Sequence, residues 1–89
     1  MQVILDGRLM TDRSAVHDQL KERLNLPDYY GRNLDALFDL LTEFAEPLHI
    51  LLAQWGEAEG NLGQYAETLR ETLVDAANEN PKLCITIEK

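Results

Sequence analysis

The chain has 89 residues, room for one domain, and its 45% hydrophobic and 27% charged residues are the balance of a globular fold. Sixteen acidic against eight basic side chains leave a formal net charge of −8. That field repels nucleic acid and anionic membrane surfaces, and it favours a cationic partner. The excess is uneven. Residues 1–27 hold four acids and four bases, so the whole imbalance falls in residues 28–89.

The first apolar run, Val3-Ile4-Leu5, stops at the turn dipeptide Asp6-Gly7 and reads as a strand. Asp12 or Ser14 can cap a following helix whose buried stripe is Val16, Leu20 and Leu24, and Pro27 closes that segment. After the loop Asp28-Tyr29-Tyr30-Gly31-Arg32, Asn33 is a natural cap for a helix running to about Phe44. Leu34, Leu37, Phe38 and Leu41 form its apolar face, widened by Leu40 and Phe44. Pro47 breaks the pattern. Leu48 to Leu52 is nearly continuous apolar, as in a parallel strand covered on both faces, with His49 as the interruption.

Residues 55–63 are polar and carry three glycines, which predicts a loop with at most a short helical turn. A third helix spans about Gln64 to Asn78, with Tyr65, Leu69, Leu73 and Ala76 inside. Asn80-Pro81 ends it, and Leu83 to Ile87 is the last strand. The order β, α, α, β, α, β predicts an α/β fold, with one three-stranded parallel sheet and packed helices making a single domain over residues 1–89.

On the helix after Asn33, Asp35, Asp39, Thr42, Glu43 and Glu46 fall away from the apolar stripe. Asp35 and Asp39 are neighbours at i, i+4, a like-charge spacing that costs a few tenths of a kcal/mol, and no Lys or Arg is placed to pair with Asp39. This is either a solvated outer face or a recognition surface. Paired tyrosines beside the row fit a recognition surface, because Tyr anchors interfaces. Equally, one tyrosine can pack in the core while the other lies on the surface.

The stretch Leu26-Pro27-Asp28-Tyr29-Tyr30-Gly31-Arg32-Asn33-Leu34-Asp35-Ala36-Leu37-Phe38-Asp39 resembles the signature of the barstar family of ribonuclease inhibitors. Weaker likeness extends over nearly the whole chain, including the turn after the first strand and the Cys-Ile-Thr-Ile ending. The resemblance implies an intracellular, cytoplasmic inhibitor forming a 1:1 complex with a small basic, extracellular-type, guanyl-specific (barnase-like) ribonuclease, as in toxin–antitoxin immunity. It implies no catalytic residues and no cofactor. The partner-binding residues it implies are Tyr29, Tyr30, Gly31, Asn33, Asp35, Phe38, Asp39, Thr42, Glu43, Phe44 and Asp75. Asp39 would stand in for a substrate phosphate in the cationic active site. Phe38 and Phe44 replace tryptophans of the best-known member, Glu43 replaces a glycine, and Arg32 adds a cation beside the row. These departures point to a different cognate enzyme.

Other expectations are plainer. The start of the chain lacks a basic segment followed by a long apolar one, so no secretory leader is expected, and no run spans a bilayer. The lone Cys84 forms no internal disulfide and is expected as a buried, inert thiol. His17 is expected at a helix surface or boundary, Trp55 in or near the core, and Ser14 as a cap or surface residue. No metal site is expected. An acid–base enzyme built on Asp35 and Asp39 would need a concave, partly dry pocket, which a convex helix face does not offer. The remaining alternative is an acidic interaction module for another basic protein on the same fold.

Overall fold

A computed structural model describes residues 1–89. Strand β1 (Gln2–Asp6) leads through a one-turn 3₁₀ segment (Gly7–Leu9) to helix α1 (Arg13–Leu24). Helix α2 (Leu34–Thr42), strand β2 (Leu48–Ala53), helices α3 (Trp55–Leu62) and α4 (Gln64–Glu79) and strand β3 (Leu83–Ile87) follow. The sheet is parallel throughout in the order β1-β2-β3, with Val3 opposite Ile50 and Ile50 opposite Ile85. The fold is the expected α/β class. No helix is long and apolar enough to cross a membrane.

Alternation along the strands decides where the core lies. Val3, Leu5, Leu48, Ile50, Leu52 and Leu83 point inward and are buried with Leu20, Leu37, Leu41, Leu69 and Leu73 from the helices. The opposite set, Gln2, Ile4, Cys84 and Thr86, is exposed. The two-sided cover expected for β2 is therefore corrected. Its outward residues His49, Leu51 and Ala53 are only half-buried, shielded by neighbouring strands. Cys84 likewise lies exposed, not buried, because it alternates out of phase with Leu83 and Ile85.

Local chemistry sets the helix ends. The Asp12 side chain caps α1 by accepting from the Ala15 N–H at 2.8 Å, and Asn25 ends it in the left-handed region, two residues before Pro27. The predicted loop at 55–63 is corrected to α3, anchored by buried Trp55 and Ala58 despite its glycines. Gly7 is required by close approach: a Cβ there would lie 2.1 Å from the Gln54 carbonyl oxygen. α4 buries Ala66, Leu69, Leu73 and Ala76, leaving Tyr65 half-buried at its margin.

Candidate functional site

The loop before α2 is held by one buried polar chain. Tyr30 is 5% exposed, and its hydroxyl lies 2.5 Å from Nδ1 of His17 on α1. Nε2 of His17 lies 2.7 Å from the Tyr65 hydroxyl on α4. His17 is thus a core residue, not the surface or boundary residue expected. Neutral imidazole has one N–H and one bare nitrogen, so one tyrosine donates to the ring and the other accepts from it. Burial, reinforced by the Arg32 charge, lowers the His17 pKa; burial raises that of Tyr30.

With Tyr30 turned inward, Tyr29 is turned outward and is 81% exposed. Gly31 packs tightly, since a Cβ would meet the Asn33 amide nitrogen at 3.1 Å and Ala36 Cβ at 3.3 Å. Asn33 caps α2, its Oδ1 accepting from the Ala36 N–H at 2.8 Å while Nδ2 donates to the Gly31 carbonyl at 3.2 Å. Arg32 adopts φ +55°, and its side chain turns back to α1, pairing with Asp18 at 2.8 Å and donating to the Ser14 carbonyl at 3.1 Å.

Asp35, Asp39 and Glu43 are exposed along α2, and none of them takes part in the chain's ion pairs. A cleft of about 340 Å³ opens between this row and the loop, lined by Tyr29, Gly31, Ala36, Leu40, Asp39 and Glu43. The Thr42 hydroxyl donates to the Asp39 carbonyl at 3.0 Å, so it faces its own helix turn. Phe38 and Phe44 are half-buried against the core edge. Asp75 is exposed on α4, one turn beyond Thr72, which shares a second cleft with Asp35.

Asn80 is a supporting residue that helical periodicity does not reveal. It is 6% exposed, and its Nδ2 donates to the carbonyls of Leu41 at 3.0 Å and Phe44 at 3.1 Å. It therefore satisfies the C-terminal end of α2, a role only the folded chain discloses. No group of three His, Cys, Asp or Glu side chains is close enough to hold a metal ion. The carboxylates stand on a convex helix, where they can attract and orient cations.

Residues 1–88 match the family described as Barstar (barnase inhibitor). The chain belongs to the barstar family. It is also 42% identical, over 79 residues, to a Bacillus subtilis (strain 168) protein named "Putative ribonuclease inhibitor YrdF", covering 88% of this chain and 87% of that one. Barstar family members are inhibitors, not enzymes.

Proposed function

We propose that this chain inhibits a small, basic, guanyl-specific ribonuclease of the barnase-like kind by blocking its active site in a 1:1 complex. Membership of the barstar family supports ribonuclease inhibition in general. The observation that carries the finer reading is the unpaired row Asp35, Asp39 and Glu43 beside the Tyr29 cleft. An enzyme that holds an RNA backbone concentrates cations. A rigid row of carboxylates offers the opposite charge and accelerates encounter. Asp39, at the wall of the cleft, is the residue assigned to the phosphate-binding cations, and Tyr29 is the exposed aromatic anchor. Asn33, Phe38, Thr42, Phe44 and Asp75 complete the assigned surface, while Tyr30 and Gly31 hold its shape. The chain acts in the cytoplasm as immunity against a toxic nuclease, and it binds neither nucleic acid nor membrane.

The test is inhibition of a panel of small secreted guanyl-specific ribonucleases at low and high salt. Stoichiometric inhibition that weakens with salt and is lost in Asp39→Ala supports the reading. Inhibition of no panel member, with capture of a different basic protein through the same residues, replaces it with the acidic-module alternative.

A further inference from the structure

The acidic face of this chain borders a cleft of mixed charge. Between α1, the start of α2 and α4 lies a polar groove of about 660 Å³. Arg13 and Arg32 stand on its α1 side, Thr68 and Thr72 on its α4 side, and Asp35 at the margin it shares with the acidic row. The chain has only eight basic residues in all, so two at one groove is a marked concentration.

The two arginines are held differently. Arg32 is anchored to Asp18 and Ser14, which fixes its guanidinium at the groove edge. Arg13 makes no ion pair and no side-chain hydrogen bond. Its guanidinium carbon lies 4.4 Å from the centroid of the Tyr65 ring, a cation–π contact. Tyr65 is itself fixed through its hydroxyl to His17. Arg13 is thus positioned by an aromatic face that leaves its N–H fork free, the geometry suited to a planar carboxylate. A polyanion is a poor occupant, since Asp35 lines the same groove and the chain carries −8. A single carboxylate delivered on an otherwise basic surface meets no such penalty.

We infer that this groove receives an acidic side chain of the partner ribonuclease, next to the base that meets Asp35, and so selects among ribonucleases. This inference rests on the ribonuclease-inhibitor reading. The complementary enzyme surface carries adjacent charges of opposite sign, and an enzyme basic throughout is rejected at Arg13.

The experiment measures inhibition constants of wild type, Arg13→Ala, Arg13→Lys, Arg32→Asn and Asp39→Ala against the panel of guanyl-specific ribonucleases. Asn tolerates the left-handed backbone at position 32. For each inhibited enzyme, its surface Asp and Glu residues are replaced singly by Ala. The expected result is a rise of about ten-fold in the inhibition constant for Arg13→Ala, with a smaller rise for Arg13→Lys. That rise disappears against one acidic-to-Ala enzyme variant, a coupling that a merely structural role does not produce. Wild-type inhibition by Arg13→Ala alongside loss in Asp39→Ala overturns the inference and leaves the inhibitor reading intact. The inference also fails if inorganic phosphate binds the free chain through Arg13 while inhibition ignores that residue. Inhibition of no panel member by wild type, with capture of a different basic protein through the acidic row, removes both readings.

Discussion

The Tyr30 hydroxyl lies 2.5 Å from Nδ1 of His17, and this contact joins the loop that presents Tyr29 to the interior of α1. Removing the hydroxyl in Tyr30→Phe leaves a buried ring nitrogen without its partner. The expected cost is about 1–3 kcal/mol, measured as a lower denaturant midpoint with an unchanged slope. Inhibition by this variant weakens as well, because the loop loses its anchor.

Acid pH acts on the same residue. The folded-state pKa of His17 lies below its ordinary value, so between the two values the unfolded chain binds more protons than the folded one. The His17 contribution is therefore complete above about pH 6.5 and declines as pH falls from there through the lowered folded pKa. Arg13 and Arg32 line the same cleft as His17, and Arg32 adds to the penalty on the imidazolium, while Asp18 opposes it. Denaturant titrations between pH 7.5 and about 5 should show this slope in wild type and not in His17→Gln. Equal slopes in both would assign the pH response to other groups.

Asp39→Ala should weaken binding to the inhibited ribonuclease by about 2 kcal/mol or more, the general cost of truncating one member of a desolvated charge pair, a rule for which barstar with barnase is itself a standard case. Glu88→Ala, exposed just beyond β3 and outside the acidic row, should leave binding unchanged. Calorimetry at two salt concentrations checks both, and the wild-type affinity should fall as salt rises.

Asn80→Ala removes the side-chain donor from the Leu41 and Phe44 carbonyls at and just beyond the end of α2, leaving Leu41 with only its 3.3 Å bond from the Phe44 N–H. A loss of about 2 kcal/mol in stability is expected. Hydrogen exchange should rise first in the last turn of α2 and in residues 43–46.

Gly7→Ala forces a methyl group against the Gln54 backbone, which cannot step aside as a flexible side chain would. The expected destabilisation is about 1–3 kcal/mol. Inhibition by the fraction that stays folded should be normal, because the backbone that the methyl group meets, at Ala53 and Gln54, belongs neither to the Tyr29 loop nor to the acidic row.

Much of the fold was legible because local rules and the global arrangement agree. Asn33 capped the helix it was expected to cap, and the Leu34, Leu37, Leu41 stripe faced inward with Leu37 and Leu41 fully buried. The signature around Tyr29-Tyr30-Gly31 pointed to the family directly. What escaped was decided over distance. His17 lies three and seven residues before Leu20 and Leu24, on the buried stripe, but the hydroxyls that make a buried imidazole acceptable come from 13 and 48 residues away, which its own helix does not disclose. α3 lacks a side-chain cap and contains Gly56 and Gly60, and burial of Trp55 outweighs both signals. Cys84 sits in an apolar strand, but no second layer of helices covers its side of the sheet. Arg32 was read in sequence as a cation beside the acidic row, and the fold turns its side chain back to Ser14 and Asp18 on α1.

The uncovered side of the sheet also gives the molecule a built-in handle. Cys84 is its one thiol, exposed on the side opposite the helical layer that carries Asp35 and Asp39. A maleimide dye or surface tether attached there would orient every copy alike, with the acidic row directed into solution. Immobilised in this way, the chain would present its acidic row uniformly, the orientation in which the proposed capture of a ribonuclease can be read directly.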